Sequence, residues 1–310
     1  MKHKFAALLL FFTGILFAQQ TEITSEEVAI NEYVNGTLVK PATEEQVPLV
    51  IIIQGSGPTD RNGNQPFLQN NSLKQLANGL AEEEIASFRY DKRISQVLQG
   101  KVSEQDLSFD DFVEDASAAI DHFKQKNSFK KIIVLGHSQG SLVGMLAAKD
   151  KADAFISIAG AAQSLDAILI EQIGQQMPQL KENVEQTIKE LKETGTSSSY
   201  NPALQAIFRP SVQPFLVSWM KYDPQQEIQK LDLPVLLING NKDLQIAPSE
   251  AQMLQKAAPN AKLVIVDKMN HVLKKIEGDD LENSKSYNEP GLPLHPELVP
   301  IISDFIAQLK

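Results

Sequence analysis

The chain has 310 residues, with 29 Lys and Arg against 39 Asp and Glu, a formal net charge of −10. Hydrophobic residues make up 42% of it, enough to bury a large core as one α/β domain with an insertion or as two domains. No basic run or aromatic-basic stripe is present, which argues against a nucleic-acid surface. The absence of cysteine excludes disulfides, a thiol nucleophile and thiolate metal sites.

At the N-terminus, Lys2 and Lys4 flank a short basic start, and an uncharged stretch of about 14 residues runs from Phe5 to Ala18. That length suits the apolar region of a signal peptide better than a membrane span, which needs roughly 20 residues. Residues 1–18 are therefore expected to be a signal peptide, with 19–310 forming the exported domain in the periplasm or the medium. The alternative is an uncleaved N-terminal anchor. No cysteine follows to carry a lipid. Removal of Lys2 and Lys4 would leave 27 basic and 39 acidic residues, taking the net charge from −10 to −12, with no stable membrane insertion thereafter.

From Glu22 to Lys40 the pattern alternates and includes Asn35-Gly36, a two-residue hairpin signal. Pro48–Ile53 is then a continuous apolar run, as expected of a strand buried on both faces of a mostly parallel sheet. Ile85–Tyr90, Lys130–Leu135, Ala154–Ala159, Pro234–Asn239 and Lys262–Asp267 repeat that character. Helical patterns separate them at Ser72–Glu84, Asp110–Lys126, Ser138–Lys149 and Ser249–Ala257, with a last helix over Glu297–Leu309. Strands alternating with helices imply right-handed βαβ units in an α/β fold.

The alternation breaks from Ala161 to Lys230. Met177–Glu193 places Leu180, Val184, Ile188 and Leu191 at helical spacing, Thr194–Pro202 has the composition of a flexible connection, and Phe208–Pro224 concentrates aromatics around the one tryptophan. A helical insertion of about 161–230, above the strand C-termini where such sheets bind ligands, would act as a lid. Its apolar residues would also pack it onto the body.

The densest chemical signal is Lys130–Asp150, a strand, then Gly136-His137-Ser138-Gln139-Gly140, then a helix. This is a G-x-S-x-G nucleophile elbow in the strand–turn–helix setting it requires. The small residues let strand and helix approach, and the helix N-terminus favours negative charge developing at Ser138. His137 is expected to point away from the chemistry and pack.

A serine hydroxyl needs a base, and the base an orienting acid. The chain order serine, acid, histidine leaves His271 and His295 downstream. His271 follows the last core strand and is the expected base; His295 lies in a Pro-flanked loop. Asp243 lies four residues past Asn239 in a Gly/Asn-rich turn and is the expected acid, with a structural turn role as the alternative. Oxyanion donors are expected from the backbone N–H of Gln139 and of Ser56, in the loop Gln54–Asn64 after the first core strand. That loop has neither the G-K-[ST] ending of a phosphate loop nor a dinucleotide fingerprint. Asp60 and Arg61 either pair or line the site; the sequence leaves both open.

Taken together, Gln54–Asn64, Arg89–Arg93, the elbow, Phe208–Pro224, Asn239–Asp243 and Asn270–Lys274 resemble the α/β-hydrolase superfamily. The similarity is to its esterase D-like group of serine aminopeptidase-type hydrolases and runs from about Tyr33 onward. The resemblance implies carboxylic-ester hydrolysis by Ser138, Asp243 and His271 without a cofactor; no metal is expected, and the aromatics of the insertion suggest a small-molecule ester with an apolar acyl or aryl group. The same triad acting as aminopeptidase, thioesterase or acyltransferase is the alternative, and a non-catalytic binding protein on this scaffold lies behind it. One departure concerns Asp91-Lys92-Arg93: the group usually continues with a glycine pair, whereas Ile94-Ser95-Gln96 follows here.

Overall fold

The computed structural model describes residues 22–43 and 45–309; the signal-peptide reading of 1–18 lies outside them. Among the described residues, eight strands form one sheet in the order β1-β2-β4-β3-β5-β6-β7-β8. The opening hairpin pairs β1 (Ile23–Ala29) with β2 (Asn35–Pro41). Its turn, however, is not Asn35-Gly36. The chain reverses over Ile30–Val34, where the Asn31 side chain accepts from the Tyr33 and Val34 amides at 2.8 Å each. Gly36 lies inside β2, where a Cβ would fall onto Arg89 O and the Phe88 ring. The glycine allows close packing rather than turning the chain.

β2 runs antiparallel to β4 (Ala86–Tyr90), and every later pairing is parallel, through β3 (Leu49–Ile53), β5 (Ile132–His137), β6 (Ala154–Ile158), β7 (Val235–Gly240) and β8 (Lys262–Val266). β3, β4, β5 and β6 are buried at every position. This is why they read as unbroken apolar runs: helices cover both faces. One face packs on α1 (Ser72–Glu82), through residues such as Leu73, Leu76 and Leu80, and on the last helix, through Leu298 and Ile302. After the short α2 (Ile94–Leu98), the other face is covered by α3 (Phe109–Lys126) and α4 (Gln139–Ala148), through Phe109, Ile120, Leu142 and Met145. α3 begins with a capping box, Ser108 accepting from Asp111 N and the Asp111 side chain from Ser108 N, and ends with Lys124 and Lys126 in its last turn.

Between β6 and β7 lie five helices: α5 (Leu165–Gln176), α6 (Lys181–Thr194), α7 (Gln205–Phe208), α8 (Gln213–Trp219) and α9 (Pro224–Ile228). Val184, Ile188, Leu191, Phe208 and Leu216 form a third core there, separate from the two sheet faces. The expected helical stripe holds at Val184, Ile188 and Leu191. Leu180 falls in a preceding 3-10 turn and is not buried. The connection expected to be flexible is pinned instead. Gln213 bonds Ser197 N and O at 3.0 and 2.7 Å, and Asn183 bonds Ser199 O and Asn201 N at 2.8 and 2.7 Å. Side-chain amides from neighbouring helices thus satisfy the loop backbone, which composition alone does not reveal. The aromatic segment clamps this layer to α3: Trp219 stacks on Phe109 with ring centroids 5.2 Å apart, and Ser218 Oγ accepts from Phe109 N at 2.8 Å. The chain closes with α10 (Pro248–Ala257), α11 (Asp280–Ser286) and α12 (Leu298–Ala307). No helix among the described residues is long and apolar enough to cross a membrane.

Candidate active site

Parallel strands deliver their loops to one edge of the sheet, and β3 and β5 sit side by side with Ile53 opposite Gly136. The loop after β3 therefore lies against the elbow after β5. At that elbow Ser138 adopts φ 54° and ψ −123°, a backbone conformation that a residue with a side chain occupies only under constraint. The constraint is visible. A Cβ on Gly136 would fall onto Gly140 O, and one on Gly140 onto Ile53 O, so strand, turn and helix touch through glycine. Ser138 N donates to Ile158 O at 2.9 Å, tying the turn to β6.

Asp243 follows β7 and His271 follows β8, and the structure brings them together. His271 Nδ1–H donates to Asp243 Oδ2 at 2.8 Å, with the two side chains 6% and 0% exposed. The other carboxylate oxygen accepts from the Gln245 and Ile246 amides at 2.8 and 2.9 Å, which fixes the carboxylate that meets the imidazole. The loop carrying His271 is held by Asn270, whose amide donates to Asn283 Oδ1 and Ser286 Oγ at 2.9 and 2.7 Å. Ser138 and His271 face each other as walls of one cavity of about 130 Å³. No direct hydrogen bond joins them among the described residues.

His137 differs from its expected role. Its ring lies against His271, centroids 4.9 Å apart, and its Nε2–H donates to the His271 carbonyl at 2.8 Å. Burial foremost, with the neighbouring His271, lowers its pKa to about 4, so it is a neutral ring against His271. His295 is buried, and its Nδ1 accepts from Glu297 N within its own loop.

The Gln54–Asn64 loop is fixed from several sides. Asp60 and Arg61 do not pair with each other. Asp60 Oδ1 accepts from Asn62 N and Asn64 N at 2.8 and 2.9 Å, closing the loop on itself. Arg61 reaches outward to Asp91 Oδ2 and Glu27 Oε2, each at 2.6 Å. Thr59 Oγ1 donates to Ser56 O at 2.7 Å. Gly55 comes so close to the elbow that a Cβ there would lie 3.2 Å from Ser138 Cβ.

Asp91-Lys92-Arg93 is divided among three tasks. Asp91 holds Arg61. Arg93 binds Asp115 at 2.9 Å and Asp111 at 2.8 Å on α3. Lys92 turns inward, 4% exposed, and its ammonium donates to Gly55 O. Burial alone lowers its pKa to about 7. Where the related group has a glycine pair, α2 follows.

A second cavity, of about 300 Å³, opens on the other side of Ser138. Ser56, Ser138 and Gln139 form its floor, and Leu142, Leu165, Leu169, Leu216 and Trp219 supply apolar walls. Most of those walls come from the segment between β6 and β7. The residues lining the two cavities include no Asp or Glu.

The family model described as serine aminopeptidase, S33, matches residues 70–275, a span that includes the elbow, Asp243 and His271. The chain belongs to the S33 serine aminopeptidase family. This S33 protein is 28% identical over 262 residues to esterase EstD of Thermotoga maritima, an alignment covering 83% of this chain and 61% of that relative. It therefore spans about three-fifths of the relative's length. Among solved structures, Est1E from Butyrivibrio proteoclasticus superposes with a TM-score of 0.56 at 18% identity, covering 92% of this chain and 99% of that one. Est1E with ferulic acid bound gives 0.58 at 19% identity, with 91% and 100% covered. The acylaminoacyl peptidase of Pyrococcus horikoshii gives 0.57 at 15% identity, with 94% of this chain and 42% of that one covered. At such identities these likenesses show a shared fold, the α/β-hydrolase fold that the sequence pattern predicts. The S33 family and its esterase-like group are the resemblance expected from the motifs.

Proposed function

We propose that the chain hydrolyses carboxylic esters through an acyl-enzyme on Ser138. The observation that carries this reading is the His271–Asp243 pair, bonded at 2.8 Å beside the constrained elbow serine. With Nδ1–H committed to Asp243, His271 Nε2 is left unprotonated and able to accept. Ser138 Oγ attacks the ester carbonyl as its proton passes to Nε2. The carbonyl oxygen becomes an oxyanion held by the Ser56 and Gln139 amides, from two residues that line the apolar cavity together with Ser138. Collapse expels the alcohol, protonated by His271. Water, deprotonated by the same ring, then releases the acid and restores Ser138.

The apolar cavity favours an apolar or aryl acyl group, in keeping with EstD being named an esterase and Est1E having been solved with ferulic acid. The helices between β6 and β7 act as the lid of that cavity. Export rests on the sequence of residues 1–18 alone. The family description makes a peptide N-terminus the competing substrate. An aminopeptidase must accommodate a substrate ammonium, and burying one without a carboxylate partner is costly. The lining residues offer none, which favours an uncharged ester.

The test is hydrolysis of 4-nitrophenyl esters from acetate to decanoate and of aminoacyl 4-nitroanilides, by wild type and Ser138→Ala. Ester turnover that disappears in the variant supports the reading. Turnover of the anilides alone would favour the peptidase, and ester turnover that survives Ser138→Ala would remove the triad.

A further inference from the structure

Lys92 is a cation in a place that lacks an obvious reason for one. It lies two residues past the end of β4, is 4% exposed, and its ammonium meets the face of the Phe112 ring, 5.4 Å from the centroid. Both charged neighbours in sequence are taken, Asp91 by Arg61 and Arg93 by Asp111 and Asp115. Among the described residues, the hydrogen-bond partner of Lys92 is Gly55 O.

Gly55 O belongs to the same peptide group as Ser56 N. In a trans peptide the C=O and the N–H point in opposite directions across a rigid plane. A donor that captures the oxygen from inside the protein therefore aims the N–H outward, toward the cavity floor where Ser56 meets Ser138. The next peptide is held as well, since Ser56 O accepts from Thr59 Oγ1 at 2.7 Å and from Gln65 Nε2 at 3.3 Å. Rotation of the Gly55–Ser56 peptide would break the contact with Lys92. As an ammonium or as a neutral amine, Lys92 Nζ donates to Gly55 O and draws electron density from the carbonyl, making the Ser56 N–H a better donor, as in any polarised chain of hydrogen bonds.

We propose that Lys92 is a positioning residue for the oxyanion hole: held behind the Gly55–Ser56 peptide, it fixes and polarises the Ser56 N–H that receives the developing oxyanion. The proposal rests on the acyl-enzyme reading above. Lys92 touches neither substrate nor the reacting atoms; it acts through one peptide group. Its contribution therefore falls on the tetrahedral state and not on substrate binding.

Lys92→Met keeps an unbranched apolar stem as far as Cε and removes the ammonium. On the best nitrophenyl ester its kcat should fall about 100-fold, the scale of losing one oxyanion donor, while KM stays within about twofold. An aryl trifluoromethyl ketone, which forms a tetrahedral adduct on Ser138, should bind more weakly by the same factor as kcat. Because the chain has no cysteine, Lys92→Cys carries a unique thiol. Aminoethylation of that variant in urea, followed by refolding, restores an ammonium at lysine length and should restore kcat. A folded Lys92→Met protein with wild-type kcat, beside an inactive Ser138→Ala, overturns the positioning role alone. So does a loss confined to KM, or one that the aminoethylated variant does not repair. Wild-type protein without ester turnover, or turnover that survives Ser138→Ala, overturns the acyl-enzyme reading and this proposal with it.

Discussion

Lys92→Met should make the protein more stable at neutral and mildly acidic pH even as it slows catalysis. The Lys92 pKa is about 7 in the fold against an ordinary 10.5, with burial as the cause. Below pH 7 both the folded and unfolded chains hold the ammonium, and the folded state carries the whole cost of desolvating it. Between pH 7 and 10.5 the unfolded chain keeps its proton while the folded chain sheds it, so stability rises with pH by about 1.4 kcal/mol per unit. Over roughly 3.5 units that is at most about 5 kcal/mol, a large fraction of the stability of an ordinary domain. Methionine does not titrate, so the variant lacks this rise. Its lead over wild type should be greatest near pH 6 and should close toward pH 10. Other groups titrating in that range cancel in the comparison. Urea unfolding at pH 6, 8, 9 and 10, followed through Trp219 packed on Phe109, gives both curves. Parallel curves across that range would refute the argument, because they would mean the ammonium is hydrated in the fold.

Two further outcomes follow from the imidazoles and their acid. Asp243→Asn presents an amide donor to His271 Nδ1, favouring the tautomer with its proton on Nε2, and should lower kcat about 10⁴-fold. The Gln245 and Ile246 amides keep an oxygen to bond, so the variant should melt near wild type; a rate within tenfold of wild type would mean another residue is the acid. His137, held at about pKa 4 against an ordinary 6.5, contributes stability that is present above pH 6.5 and lost as pH falls toward 4, about 3 kcal/mol in all. His137→Phe should flatten that acid limb in urea titrations at pH 7 and 4.5, and an unchanged limb would place the acid sensitivity elsewhere.

The fold was largely legible because its central strands are buried on both faces. A run such as Leu49–Ile53 has few other places to go, and a strand–G-x-S-x-G–helix sequence allows one local geometry. The chain order serine, acid, histidine pointed to Asp243 after β7 and His271 after β8, and the structure joins those two side chains by a hydrogen bond. What escaped the sequence depends on contacts between distant segments. Asn35-Gly36 has the composition of a turn, yet Asn31 supplies side-chain bonds that turn the chain earlier, and Gly36 serves close packing against Phe88. Thr194–Pro202 is polar and Gly-containing but is tied down by Gln213 and Asn183 from other helices. His137 was expected to face away because alternate strand residues do. The loop after β8 comes round to meet it, a closure with no local signature. Lys92 gave one faint signal, a lysine two residues past a buried strand, but its partner lies 37 residues back.

Three local costs of this molecule meet near one peptide group. Ser138 occupies a left-handed backbone conformation, Lys92 is a buried cation without a carboxylate, and His137 is a histidine buried under a second histidine. Each is unfavourable taken singly. They converge on the end of β5 and the loop beside it: Ser138 beside Gly55, Lys92 on Gly55 O, His137 against His271. Arg61, Asp91 and Asp60 supply ordinary, well-satisfied bonds that hold the loop to the body. Those outer bonds stabilise the frame, and the inner group uses that stability to keep a serine, an amide and an imidazole in positions none would adopt in a relaxed chain. Lys92→Met separates the two layers, because it removes an inner cost while leaving the outer frame intact. A gain in stability together with a loss of kcat is the outcome that distinguishes an arranged site from an accidental cluster.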